Sequence, residues 1–296
     1  MTGAPGRRAP GGFARQRGAA LLIALLAVAL AVLLATELVE RSQRDVARTT
    51  AVVDAERAWQ FAEGVEGLAR DWIRRQRQAE PGVRLPDGQW SEPFMVPGGS
   101  VRGRMFARDG RFNLNALASR DPAVAADGRR TLLRLLALLN VDPALGESIV
   151  AMYGGGAAAP AADRVHLSEL NRLERFSPGV RARLEPYLTL LPDADARINV
   201  NRALPEVLAA AVEGLSIESA RSLVARAPFE SLDEVVAQPE FAALNAVAAR
   251  RRLAVESEWF MVQAQVSLDG VTRDYFRLVG ASGSRYDFRY LSQGVP

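Results

Sequence analysis

The sequence predicts an α+β protein in which a long amino-terminal helix packs on a small antiparallel sheet, and a large all-α domain interrupts that sheet. Three observations carry this reading. An uncharged run near the start continues without proline as far as Glu80. Apolar and polar residues alternate from Phe260 onward, and Val101 to Ala107 forms a second, earlier strand candidate. Between them, residues 110–255 are rich in alanine and leucine at helical spacing and repeat a short phrase.

Composition narrows the function classes before any motif is read. The 296 residues suffice for about two domains, and 49% hydrophobic with 24% charged residues argues against a disordered or multi-span membrane chain. Cysteine is absent, which excludes disulfides, thiol nucleophiles and thiolate zinc sites. His166 is the single histidine, so His-rich metal centres are excluded too, and enzyme chemistry is not expected. The formal net charge of +3 comes from 37 basic and 34 acidic residues. Arg7, Arg8, Arg15 and Arg17 precede residue 18 with no acid among them, which leaves 33 against 34, or −1, for the rest. The excess therefore belongs to a leader and is not a nucleic-acid footprint.

The first element is the amino-terminal helix, 19–80. Ala19 to Thr36 is eighteen residues without a charge, about 27 Å of helix at roughly 1.5 Å per residue, close to a bilayer's apolar thickness. The preceding arginines place that end in the cytoplasm and everything after Glu37 on the other side. Beyond the run, Glu37 with Arg41 and Glu40 with Arg44 sit four apart in acid-first order, which extends the helix into water. Ala51, Ala55, Ala58, Ala62, Val65, Leu68 and Trp72 then recur at gaps of three or four as an apolar stripe, with Gly64 and Gly67 as local weak points.

The junction Arg15-Gln-Arg-Gly18-Ala19-Ala-Leu-Leu-Ile23 resembles the leader junction of type IV pilins and type II secretion pseudopilins, a short basic leader followed by glycine and the apolar helix. The resemblance implies that a prepilin peptidase cuts between Gly18 and Ala19 and methylates Ala19, so 1–18 is a cytoplasmic leader and the apolar helix is retained. Most of that family carries glutamate at the fifth mature position, where this chain has Ile23. A carboxylate in an apolar bundle is costly unless paired, so a subunit with none ahead of it does better without one. That departure, with the unusual length, is similar to the K-type minor pseudopilins, the general secretion pathway protein K family. The resemblance implies a pilin-like fold, I-type and J-type minor pseudopilins as partners, and a single-pass inner-membrane protein with its head in the periplasm. It also implies a place at the pseudopilus tip, where the subunit initiates and caps assembly for protein secretion across the outer membrane, and contact with secreted substrate proteins. No cofactor is required. Structural calcium occurs in some relatives, with no ligand set that maps onto this chain.

After the helix, prolines at 81, 86, 93 and 97 open an irregular region, and 81–109 forms the first part of the sheet. The second part, 256–296, holds Phe260, Val262, Ala264, Val266 and Leu268 in alternation, a hairpin turn at Asp269-Gly270, and further strands from Val271 to Val279 and around Tyr286, Phe288 and Tyr290. Within the insertion, Arg111-Phe-Asn-Leu-Asn115 matches Arg197-Ile-Asn-Val-Asn201 at an offset of 86, which predicts two repeats at about 111–175 and 197–250. Each reads as helix, turn, helix: Leu132 to Leu139 and Asp142 to Tyr153, then Pro205 to Val212 and Ile217 to Ala227. A glycine-rich excursion, Gly154 to Pro160, falls late in the first copy.

The second copy resembles the helix-hairpin-helix modules of competence DNA receptors, so a membrane-anchored periplasmic DNA receptor is the alternative function. Such modules hold phosphate on a hairpin with two glycines. Here Glu213-Gly214-Leu215-Ser216-Ile217 has one glycine between acids, and Leu139-Asn140-Val141-Asp142 has none. A generic membrane-anchored scaffold, which predicts no processing, is a third reading. Asn113, Asn115, Asn199 and Asn201 read as caps of local backbone groups rather than ligands, His166 as a surface or capping residue at the start of Leu167-Ser168-Glu169, and Asp193 with Asp195 as an oxygen pair outside EF-hand order.

Overall fold

Helix α1 spans Phe13–Gln78, starting inside the leader and ending two residues before Glu80. The structure, a computed structural model, describes residues 13–78, 88–154, 166–283 and 285–294. Arg7, Arg8, Pro81, Pro86 and the excursion from Gly155 to Pro160 lie outside the described residues. The chain divides into two compact units, one ending at Arg57 and one beginning at Ala58.

Among the described residues of the first unit the helix is alone. Its apolar side chains from Leu21 to Val39 are all exposed, and Arg44 pairs with Glu40 at 3.1 Å, as the acid-first spacing predicts. One stretch within Leu21–Arg75 is long and apolar enough to cross a membrane.

In the second unit the remaining turns of α1 lie on a five-stranded sheet, β1 (Phe94–Val96), β2 (Gly99–Ala107), β7 (Trp259–Leu268), β8 (Val271–Ser282) and β9 (Arg285–Gln293), with every neighbouring pair antiparallel. The buried row of α1 is Ala58, Ala62, Val65, Ala69 and Ile73, against Val101, Met105, Phe260, Val262, Ala264 and Val266. This row is turned from the expected stripe. Ala51, in the first unit, is exposed, and Leu68 is 39% exposed because the small side chains at 58, 62 and 69 let the helix approach the sheet while larger neighbours flank the contact. The β7–β8 hairpin turns at Asp269 and Gly270, both left-handed at φ 48° and 81°, the turn that an Asp-Gly pair favours.

The insertion leaves the sheet after β2 and returns into β7, its immediate neighbour, with Ala107 opposite Phe260. It contains β3 (Phe112–Asn113), α2 (Pro122–Leu138), α3 (Pro143–Gly154), α4 (Pro178–Leu184) and β4 (Leu188–Thr189), then β5 (Ile198–Asn199), α5 (Pro205–Ala211), α6 (Ile217–Arg226), α7 (Leu232–Val236), α8 (Ala246–Arg252) and β6 (Leu253–Ala254). Helix α2 begins ten residues earlier than Leu132, since Asp121 caps it by accepting from Ala123 N at 2.8 Å and Pro122 fits its first turn.

Both repeats share one core. It includes Leu132, Leu135, Leu145, Ile149, Leu208 and Leu223, all at most 1% exposed. A smaller cluster of Leu191, Met261, Phe276 and Leu278, with Phe106 and Trp259 around it, seats the insertion on the sheet face opposite α1. That covering explains why Met261, out of phase with the helix-facing row, is also buried.

Candidate functional site

Two places carry the sequence-predicted residues: the exposed amino-terminal helix and the junction between sheet and insertion. On the helix, the Gly18–Ala19 bond lies inside α1, and Ile23, at 67% exposure, presents an apolar side chain. Further along, in the second unit, Val65, Leu68, Trp72 and Phe94 line an apolar groove of about 270 Å³ between α1 and edge strand β1.

At the junction, the two Asn-x-Asn phrases do more than cap. Asn113 Oδ1 accepts from Asn115 N at 3.1 Å, the local cap, and also from Leu191 N at 2.9 Å, while its Nδ2 donates to the carbonyls of Asp193 and Leu191 at 2.8 and 3.4 Å. Asn115 Nδ2 donates to Leu191 O at 2.8 Å. The second phrase does the same work. Asn199 Oδ1 accepts from Asn201 N at 2.9 Å, and Asn201 bonds Phe229 N and O and Val255 O at 2.8 to 2.9 Å. Each phrase also pairs in parallel with the last strand of its own repeat, β3 with β4 and β5 with β6. The closing strands thus fall beyond the predicted repeat ends at 175 and 250. Two-residue parallel pairs carry no periodicity that a sequence reading could detect.

Asp109, which the sequence reading passed over, joins the insertion's departure and return. Its carboxylate accepts from Ser257 Oγ at 2.8 Å and Glu258 N at 2.7 Å, and its carbonyl accepts from Asn199 N at 2.9 Å. Asn199 Nδ2 donates to the same Ser257 hydroxyl at 2.8 Å, completing a polar chain between the second repeat and the sheet. Burial pushes the Asp109 carboxyl up to about 6, against the lowering effect of its donors. Because its folded value is raised, its contribution to stability is full below the unfolded value of about 4 and is lost as pH rises through about 6. Between pH 5 and 7.5 this amounts to about 1 kcal/mol. Urea unfolding at the two pH values is expected to show that difference shrinking in Asp109→Asn relative to the parent. An unchanged difference would contradict it. Beside it, burial first and then the neighbouring Arg111 push the Arg108 guanidinium down to about 9.

The remaining candidates are structural. Asp193 Oδ1 accepts from Asp195 N at 2.9 Å and Asp195 Oδ1 from Ser119 Oγ at 3.0 Å, so the pair shapes the link between repeats. Among the described residues no group of three or more His, Cys, Asp or Glu side chains gathers. His166 takes the cap position of the 3₁₀ turn Leu167–Arg172, but its side chain makes no capping hydrogen bond. At the hairpins, Asn140 at φ 52° occupies the place that Gly214 at φ 84° holds in the second copy. The following positions are filled by side-chain caps: Asp142 accepts from Ala144 N at 2.9 Å and Ser216 from Ser219 N at 3.0 Å. Ala144 N–H and the Arg175 guanidinium hold the Asp142 carboxyl below its ordinary range, so the first hairpin carries an ionised carboxylate at the start of α3.

Comparison with known proteins agrees with this architecture. Residues 110–193 and 198–256 match two family models, both described as type II secretion system (T2SS), protein K, and together they span the insertion. The type II secretion system protein K of Pectobacterium carotovorum subsp. carotovorum is 30% identical, over 85% of this chain and 88% of that protein. Its counterpart from Klebsiella pneumoniae is 29% identical over 95% and 97%. A chain in the crystal structure of the GspK-GspI-GspJ complex from enterotoxigenic Escherichia coli superposes with a TM-score of 0.66 at 20% identity, covering 84% of this chain and all of that one. With the anchor-like helix, the interrupted sheet and the paired helical repeats in place, the chain belongs to the type II secretion system protein K family, a minor pseudopilin.

Proposed function

We propose that this minor pseudopilin stands at the tip of the pseudopilus, initiates its assembly with I-type and J-type partners, and caps it. A prepilin peptidase cuts between Gly18 and Ala19 and methylates Ala19. The helix then holds the protein in the inner membrane with its head in the periplasm until it enters the filament, where the tip surface also meets secreted proteins. The observation that carries the reading is Ile23, an apolar residue at an exposed helix position where filament neighbours would demand a carboxylate. The insertion supports it, since a second domain seated on the outer sheet face adds bulk that a following subunit would have to displace. The solved GspK-GspI-GspJ assembly supports the choice of partners. The carboxylate at the first hairpin, and acids on both sides of the second, weigh against a DNA receptor.

Mass spectrometry of the amino terminus, on protein recovered from cells that produce a prepilin peptidase, is expected to find methylated Ala19. An intact Met1, or a cut elsewhere, contradicts the processing. A subunit located midway along a fibre contradicts the tip placement.

A further inference from the structure

Arg102 and Arg104 stand two residues apart on β2, on the face away from α1, because Val101 and Met105 alternate with them into the helix-facing core. Arg102 donates from Nε and Nη2 to Gln265 Oε1 at 2.8 and 2.6 Å, and Arg104 donates from Nε to Gln263 Oε1 at 2.7 Å. Both guanidinium groups lie over Trp90, 4.5 and 4.4 Å from its ring centroid, and Arg104 also lies 4.7 Å from that of Phe106.

Among the described residues neither guanidinium has a carboxylate within 4 Å, whereas Arg74, Arg129, Arg175, Arg252 and Arg277 each pair with an acid. The glutamine oxygens satisfy some N–H groups but neutralise no charge. Asp274 joins the network only through the Gln265 amide, 3.1 Å from its Oδ1. The insertion's hydrophobic contact with this face is made through Leu191 and Ala196 against Phe106, Met261, Phe276 and Leu278, and Trp90, Arg102 and Arg104 beside it are partly exposed.

From this juxtaposition we infer that the Arg102–Trp90–Arg104 surface is a docking site for an acidic segment of another protein. Two cations on alternate positions of a strand are roughly 7 Å apart along it, a spacing that alternate acidic side chains of an extended segment reproduce. The aromatic stack and the glutamine bonds already fix the guanidinium planes, so an incoming carboxylate meets an ordered, bidentate donor edge and orders little more on binding. Charge complementarity selects the occupant: the surface offers two fixed positive charges, bordered on one side by Ser100, Ser267 and Thr272 and on the other by the apolar Phe106 and Met261. The inference stands apart from the tip placement and survives its failure.

The test uses the full chain in non-ionic detergent and a fluorescein-labelled peptide of alternating glutamate and serine, read by anisotropy. The parent protein is expected to bind this peptide in preference to its glutamine–serine counterpart, and more weakly as salt rises. Arg102→Gln with Arg104→Gln is expected to lower the affinity about tenfold. Arg102→Lys with Arg104→Lys should fall between, since it keeps the charge and loses the planar stack. Melting temperatures of both double variants, compared with the parent, separate a binding effect from unfolding. If the glutamine pair fails to fold, the lysine pair and Trp90→Ala carry the test. Equal binding of the two peptides by the parent overturns the inference, as does undiminished affinity in the variants. Competition by inorganic phosphate as strong as that of unlabelled acidic peptide also overturns it, because the site would then be one for phosphate.

Discussion

Asn113→Ala is expected to destabilise the insertion by about 3 kcal/mol, the cost of orphaning several buried backbone groups at once at roughly 1 kcal/mol or more each. Asn113 is 5% exposed, and its side chain is the partner of Leu191 N, Asn115 N and Asp193 O. Alanine supplies none of these bonds, and water has little access to the site. The loss also acts at a distance, because the bonds tie the start of the first repeat to its end some eighty residues later. Asn201→Ala makes the comparison. It removes bonds to Phe229 and Val255 in the second repeat from a part-buried position, so its cost should be smaller, about 2 kcal/mol. Urea unfolding followed by circular dichroism measures both. A cost below about 0.5 kcal/mol for Asn113→Ala would mean that backbone pairing alone closes the repeat.

The same residues show how far the sequence could be read. The repeated Asn-x-Asn phrase was visible, and so was the local cap, because a side chain reaching two residues ahead is a short-range event. The long-range bonds of Asn113 to Leu191 and Asp193 were not, since they depend on where the chain returns. The sheet was legible in β7, where one face meets the helix and apolar residues alternate from Val262 to Leu268, and the turn at Asp269-Gly270 follows from local backbone preference. It was less legible at Met261, which the insertion covers from the other side. Asp109 gave no signal beyond standing at the edge of the helical stretch, because nothing in its neighbours announces that Ser257 and Glu258 will surround it. Arg102 and Arg104 likewise read as ordinary outward positions of a strand. Their direct cross-strand partners on β7 are Gln265 and Gln263 and not acids, a fact of register.

Register also decides the second large effect, that of Arg277→Met. Arg277 lies on β8 between Tyr275 and Val279, on the face that receives α1, and its side chain is 13% exposed. It pairs with Glu66 of α1, reaches Glu63 at 3.5 Å, and lies 5.1 Å from the ring centroid of Trp59. One guanidinium thus joins three α1 side chains spread over two turns, and the rest of this contact is made largely by small residues such as Ala58, Ala62 and Ala69. Methionine keeps much of the volume but leaves Glu66, whose side chain is 23% exposed, facing the sheet with only the more distant Arg70, at 3.9 Å, as counter-charge. Water reaches that carboxylate, so the expected cost is about 2 kcal/mol, below that of a fully buried pair broken on one side. Hydrogen exchange should register it first across Ala58 to Ile73, with little change in the insertion, whose core is separate. If Glu66→Gln combined with Arg277→Met costs less than Arg277→Met alone, the stranded carboxylate is the source of the loss. Additive costs would assign it instead to the lost packing against Trp59.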